Sequence, residues 1–303
     1  MFMRQLNYLI ALDTHRHFGR AAESCHVSQP ALSNGIRELE QELGITIVKR
    51  SRTFQGITPE GERVISWARE MLHSLHGLRE EADLMRTIPK GHLTIGGIPT
   101  AIHAATLLCA EYRQSIPQLT LEILSLSTPA ILKRLKEQEL DLALLYDRSV
   151  MDETFDVLPL FSERFVLIAS AQTSLPHELN WAEVAELPLS LLGQDMQNRQ
   201  TLDHIFKTFE STAHVVLETN SIDILLTEAL SGRSYTVLPL SALPTQYARA
   251  GLRIHPITPE RTEDICLVRL RRDNQSALSK AAWRLAASLD IQVILDELLL
   301  PGL

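Results

Sequence analysis

The chain has 303 residues, of which 45% are hydrophobic, 22% charged and only 5% aromatic, and its formal net charge is -8. That length supports two or three domains with sizeable cores and excludes both a disordered tail and a small disulfide-stapled scaffold. The acidic balance excludes a protein that coats nucleic acid over its whole surface, yet residues 1–58 carry seven Lys or Arg against five Asp or Glu, which points to an anionic partner at that end.

Phe2, Leu6, Leu9 and Ile10 form one helical stripe, and Ala21, Ala22 and Cys25 give a second, short face of small residues. Leu32, Ile36, Leu39 and Leu43 step by four, three and four, which predicts a third helix with one apolar face. Ser28 is placed as its N-cap, and Pro30 falls in the first turn, where its missing N–H would have no intrahelical partner. The short link "HVS" then makes a tight helix-turn-helix. Gln29, Ser33, Asn34 and Arg37 lie opposite the apolar stripe, and together with Ser28 and Pro30 they form a candidate groove-reading face. Gln and Asn bond adenine in bidentate fashion, Arg bonds guanine, and Ser bonds phosphate or base. A three-helix core with a solvated polar face is the alternative for this segment alone. "VKRSRTFQGITPEG" (48–61) reads as strand, basic tip and strand, with Lys49, Arg50, Arg52 and Thr53 where a wing meets the phosphate backbone, and this favours DNA.

Residues 4–61, with "FGRAAESCHVSQPALSNGIRELEQELG" and "ITPEG" after the basic tip, resemble the winged helix-turn-helix of the LysR-type transcriptional regulators. The resemblance implies double-stranded DNA with an interrupted palindrome as partner, contact with RNA polymerase, and a homodimer paired through a linker helix that assembles further into a homotetramer. It also implies a type 2 periplasmic-binding-protein fold after the linker. One departure is Gly35 inside the recognition helix, which costs about 1 kcal/mol relative to Ala; the helix is then either looser or closer to the DNA.

Val64, Ala68, Met71, Leu75, Leu78, Ala82 and Met85 alternate spacings of four and three and read as a coiled-coil seam, with a surface helix packed on its own domain as the alternative, since Ile65 and Leu72 widen the stripe. His73 and His76 at i, i+3 have no carboxylate or cysteine to complete a metal site, and they read as solvated surface, as do His15 and His17. "IPKG" ends the helix. The expected organisation is a winged helix-turn-helix over 1–58, a linker and dimerisation helix over 59–90, and an effector-binding domain over 91–303.

Beyond residue 91 the segments 93–98, 119–126, 140–146, 163–170, 213–220, 235–240, 252–257 and 264–270 are strand-like, most of them separated by helical stretches, so parallel sheets covered by helices are expected. The resemblance divides this α/β region into lobe one (91–162 and 265–303) and lobe two (163–264), with crossings near Ser162 and Asp264. Loops that end strands and begin helices converge on the cleft of such a fold. They supply Pro99, Thr100 and Ala101; Ser127 and Thr128; Gln197, Asn198 and Arg199; and Asn220 and Ser221. Hydroxyls, amides and helix N-termini favour an anion, and Arg199 suits a carboxylate, so a small anionic or polar effector is expected, with a carboxylate or other anion favoured. Capping of each loop's own helix is the alternative.

The N-terminal segment also resembles the peroxide-sensing members of the family, which use paired cysteines in the second lobe. Residues 163–264 contain no cysteine, and Cys25, Cys109 and Cys266 are far apart in no C-x-x-C spacing, so a thiol switch is not expected. No G-x-S-x-G, H-E-x-x-H, P-loop or dinucleotide fingerprint occurs, so no catalytic residue, metal or cofactor is expected. No run of eighteen apolar residues lacks a charge and no export signal opens the chain, which leads to an expectation of a cytoplasmic protein with no membrane partner. A cytosolic small-molecule binding protein or enzyme of periplasmic-binding-protein fold with an accessory helical domain is the reading of a different class.

Overall fold

Leu6, Leu9 and Leu12, spaced by three residues, are all buried along α1 (Met3–His15). The computed structural model describes residues 3–50, 54–84, 90–116, 118–243, 251–272 and 275–299. The chain divides into two compact units, residues 1–86 with 274–277, and residues 87–273 with 278–303.

In the first unit α2 (Phe18–Ser24) buries Ala21 and Ala22, and α3 (Gln29–Leu43) buries Leu32, Gly35, Ile36 and Leu39. Ser28 has extended backbone and its Oγ accepts the N–H of Ala31 at 3.4 Å, Pro30 sits in the first turn, and Gly44 closes the helix in the left-handed region at φ 68°, a conformation in which glycine carries no steric cost. The antiparallel pair β1 (Val48–Arg50) and β2 (Phe54–Ile57) forms the wing. Thr58 Oγ1 then accepts the N–H of Gly61 at 2.9 Å at the start of α4 (Pro59–Leu84).

Two expectations change here. A Cβ on Gly35 would stand 2.8 Å from Cδ2 of Tyr8, so the glycine makes room for the α1 ring; neither a loose helix nor DNA proximity is needed to explain it. On α4, Ile65 and Ala68 are buried in the first unit's own core, with Val64 and Leu72 packed against it, and Arg69 Nη2 is 2.8 Å from Asp13 Oδ2. Among the described side chains of α4, Trp67, Met71 and Leu78 are the large apolar ones left exposed, so Ala68 and Val64 serve the core of their own unit, as the alternative reading of this helix expects. Met85 and the side chains of His76 and Ala82 lie outside the described residues.

The second unit runs β3 (Lys90–Gly97), α5 (Ile102–Ser115), β4 (Gln118–Ser125), α6 (Thr128–Lys136), β5 (Leu142–Tyr146), β6 (Phe155–Ser170), β7 (Leu179–Asn180), α7 (Trp181–Glu186), β8 (Leu189–Leu192), α8 (Gln197–Thr208), β9 (Val215–Thr219), α9 (Ile222–Leu230), β10 (Thr236–Pro239), β11 (Leu252–Thr258), β12 (Thr262–Leu270), α10 (Ala277–Ser288) and α11 (Ile291–Leu299). The main sheet has the order β4-β3-β5-β12-β6-β11-β7, with β10 also on β6. β3 is parallel to β4 and β5, as helical crossovers require.

The long β6 makes two lobes of one sheet. Its first part, Phe155–Arg164, pairs with β12, and Ser162 stands opposite Asp264; its second part pairs with β10 and β11. The first part joins the core of Leu93, Ile95, Leu142 and Leu144. In the second part, neighbouring residues point to opposite faces: Phe165 and Leu167 pack with Trp181 and Phe206, and Val166 and Ile168 with Leu225 and Leu238. The fold is thus an N-terminal winged helix-turn-helix, a long linker helix and a two-lobed α/β domain. β7, β8 and the first half of β6 were not read as strands, because each is short or continuous with a polar stretch.

Candidate functional site

α3 presents one face to solvent. Gln29, Pro30, Asn34 and Arg37 are exposed, Ser33 is half-buried and Ser28 stands exposed at the N-cap. At 1.5 Å per residue, positions 29–37 span about 12 Å, the width of a major groove. The side chain of Arg50, and Arg52 and Thr53 at the wing tip, lie outside the described residues.

Two supports of this face had no reading in the sequence. Glu40 Oε1 accepts the N–H groups of Ile47 and Val48 at 2.8 and 2.9 Å, which ties the end of α3 to the first wing strand. A carboxylate in the last turn opposes the helix dipole, and that mismatch is the signal that it serves another partner. His17, expected to be solvated, caps α2: its Nδ1 accepts the N–H groups of Gly19 and Arg20 at 3.1 and 3.3 Å.

In the second unit, hydrogen bonds set the loops side by side. The N–H of Ile98 bonds Leu144 O at 3.2 Å and that of Leu126 bonds Gly97 O at 3.0 Å, so the turns before α5 and α6 gather at the end of β5; the N–H of Gly193 bonds Thr219 O at 2.9 Å and does the same for the turns before α8 and α9. At the junction of the lobes stands Tyr146, fully buried. Its hydroxyl donates to Glu163 Oε1 at 2.7 Å, lies 3.4 Å from Thr100 Oγ1, and accepts from Asn198 Nδ2 at 3.5 Å. Ser241 Oγ donates to Glu163 Oε2 at 2.7 Å. Thr100 and Asn198, expected to serve the effector, therefore meet on one hydroxyl from opposite lobes. Tyr146, Glu163 and Ser241 were missed; a tyrosine closing the apolar run "LALLY" is their only sequence signal, since a buried phenol needs a partner.

Burial pushes the Glu163 carboxyl up to about 7, against the hydrogen bonds from Tyr146 and Ser241 that favour its charged form. Burial, and then the Glu163 charge, hold the Tyr146 phenol well above its ordinary value. Thr128 Oγ1 and Asn198 Oδ1 are buried with no hydrogen-bond partner. Ser127 and Ser221 occupy N-cap positions of α6 and α9 without capping them through their side chains, so the capping alternative does not account for their hydroxyls.

Two of the expected effector residues are committed elsewhere. Arg199 Nε bonds Asp203 Oδ1 at 2.9 Å, and its Nη1 bonds Leu192 O at 3.1 Å and Glu218 Oε1 at 2.6 Å, so these two nitrogens are engaged within lobe two itself. Ala101 is fully buried in the core of lobe one. Pro99, Gln197 and Ser221 are half-buried and Asn220 is exposed. Arg148 is likewise paired, with Glu263 at 2.9 Å, and also bonds Thr201.

Residues 3–62 match the model of the lysR-family bacterial regulatory helix-turn-helix protein, and residues 86–289 match the LysR substrate binding domain. The chain belongs to the LysR family of transcriptional regulators. Its relatives include the DNA-binding transcriptional dual regulator OxyR of Escherichia coli (strain K12), 32% identical over 281 residues that cover 88% of this chain and 89% of OxyR. Among solved structures, a full-length cysteine-to-aspartate variant of OxyR from Pseudomonas aeruginosa aligns with a TM-score of 0.72 at 27% identity, covering 96% of this chain and 98% of that one. The LysR regulator CbnR in complex with its target DNA aligns with a TM-score of 0.66 at 18% identity, over 94% and 99% of the two chains, a likeness of fold. LysR regulators bind DNA and oligomerise, and this chain has the helix-turn-helix and the effector domain for a regulator modulated by a ligand. Among the described residues no helix is long and apolar enough to cross a membrane.

Proposed function

We propose that this LysR regulator reads an interrupted palindrome through Gln29, Ser33, Asn34 and Arg37, with Ser28, Arg50, Arg52 and Thr53 positioning it on phosphates and Pro30 adding an apolar contact, and responds to a small, polar, neutral effector between its lobes. It is a regulator and not an enzyme, acts in the bacterial cytoplasm, pairs through the linker helix, forms a tetramer and contacts RNA polymerase. The exposed stripe of Trp67, Met71 and Leu78 is the surface offered for pairing.

The observation that carries the effector reading is the meeting of Thr100 and Asn198 on Tyr146, with Thr128 Oγ1 and Asn198 Oδ1 left buried without partners. Ligand groups that satisfy those two atoms recover the cost of burying them, about 1–3 kcal/mol each. The anion expected from the sequence loses its support, because Arg199 is filled by Asp203 and Glu218 and a buried carboxyl, Glu163, sits at the same junction. A ligand able both to donate and to accept hydrogen bonds suits this set better than a carboxylate. Its preference for one arrangement of the lobes is then the quantity passed to the DNA, of the order of 1–3 kcal/mol in coupled sites.

Several relatives carry the name hydrogen peroxide-inducible genes activator. A thiol route to peroxide has little to work with in this chain. Lobe two holds no cysteine, and burial raises Cys109 to about 11 and Cys266 to about 12, far from the thiolate that reacts.

The test is a thermal-shift screen of the full chain against neutral polar metabolites, organic acids and peroxide. A neutral hit that stabilises the wild type and is lost in Thr128→Val supports the reading. Stabilisation by acids alone would return the site to an anion, and a peroxide response that survives removal of all three cysteines would require a different chemistry.

A further inference from the structure

Along β6, a pocket of about 430 Å³ opens that belongs to none of the loops described above. Its volume lies within the roughly 300–1,000 Å³ usual for small-molecule sites. Glu163 and Arg164 of β6, Ser241 after β10, Glu260 before β12, and Gln292 and Asp296 of α11 contribute its polar wall, and Phe161, Leu240 and Leu295 its apolar part. Three carboxyl groups therefore face one guanidinium, and that guanidinium is already directed at a carboxylate: Arg164 Nη1 is 3.5 Å from Glu260 Oε2.

We infer that this pocket is a second ligand site, for a small organic cation of the alkylammonium kind, coupled to the interlobe cleft through Glu163. The wall offers oxygen acceptors from both lobes to an ammonium group, and the apolar side chains suit a short methylene stem. A bare metal ion fits less well, because no group of three or more His, Cys, Asp or Glu among the described residues is placed to hold one. An anion would meet the carboxyl groups with Arg164 as its sole cation in the wall.

The coupling is a chain of hydrogen bonds. Glu163 lines the pocket, and one of its oxygens is held by Ser241, also in the pocket wall, at 2.7 Å; the other is held by Tyr146 at 2.7 Å, whose hydroxyl touches Thr100 and Asn198. A cation in the pocket favours the charged form of Glu163, and a carboxylate accepts more strongly from both hydroxyls. Burial, aided by the charge of Glu263 and opposed by the hydrogen bonds from Tyr146 and Ser241, holds Glu163 near 7, so its charge responds to a neighbour. α11 joins in, because Gln292 Oε1 accepts the N–H of Ser162 at 2.9 Å and its Nε2 donates to Asp296 Oδ1 at 3.1 Å.

The experiment is calorimetric titration of the full-length wild type with 1,4-diaminobutane, with butyrate as the anionic control, repeated on Glu260→Gln, Asp296→Asn and Thr128→Val. The inference requires binding of the diamine and not of butyrate, a tenfold or greater loss of affinity in the Glu260→Gln, Asp296→Asn double variant with an unchanged melting temperature, and undiminished binding in Thr128→Val. Absence of diamine binding, or binding that the double variant leaves intact, overturns it. Loss in Thr128→Val with retention in the double variant would also overturn it, by making the diamine a ligand of the cleft, and would leave the cleft reading itself standing.

Discussion

On α3 the polar groups of the outer face are exposed, whereas those around Tyr146 are buried and bonded to one another. Gln29, Asn34 and Arg37 are exposed on a helix whose opposite face is buried, so their removal should change DNA recognition and leave the fold intact. Tyr146, Glu163, Thr100 and Asn198 are buried and interdependent, so each change there should alter stability and response together. In the function proposed above, one unit keeps scaffold and reader on separate faces of a helix, and the other makes the sensor out of part of its scaffold.

The largest effect expected from breaking that separation is on the scaffold side of α3. Ile36→Ala empties a fully buried site and should cost about 2–5 kcal/mol, read as an earlier denaturant transition. Undiminished stability would place α3 outside the core. Next comes the pH dependence of the second unit. Glu163 binds its proton more tightly in the folded chain, near 7, than its ordinary value of 4.5. The folded state therefore holds more protons between those values, and stability should fall as pH rises from about 4.5 to about 7, by about 1–3 kcal/mol. Glu163→Gln should flatten that slope in melts across the window, and an unchanged slope would assign it to other groups.

Tyr146→Phe removes the shared hydroxyl and leaves buried polar groups without a partner, so a loss of about 1–3 kcal/mol is expected, together with a weaker response to any ligand of the cleft. A variant with full stability and full response would remove the hydroxyl from the account. The smallest effect is at Gly35. Alanine gains about 1 kcal/mol of helix propensity but presses on Tyr8, and overpacking costs about 1–3 kcal/mol. A net loss of about 1 kcal/mol is expected, relieved in Tyr8→Ala, Gly35→Ala compared with Tyr8→Ala alone; absence of that relief would separate the glycine from the ring.

The same contrast explains what could be read from sequence. Leu32, Ile36 and Leu39 announce α3 by spacing, Ser28 and Pro30 mark its start, and the face opposite the apolar stripe follows from period alone. Strands such as β3, β4 and β12 announce themselves in the same way. The junction around Tyr146 rests on pairs 17, 46, 52 and 78 positions apart, and no local pattern encodes such partners. The intralobe partners of Arg199 were hidden for the same reason, since one of them, Glu218, lies 19 residues away on β9. The cost of Gly35 was legible, but its cause, the ring of Tyr8, was not.

Selection from a random duplex pool, by wild type and by Arg37→Ala, decides whether α3 reads sequence. The wild type should enrich an interrupted palindrome, and Arg37→Ala should melt at the same temperature while binding the selected duplex about 1–3 kcal/mol more weakly, with less change on random DNA. Equal enrichment of the same palindrome by both proteins would contradict that reading.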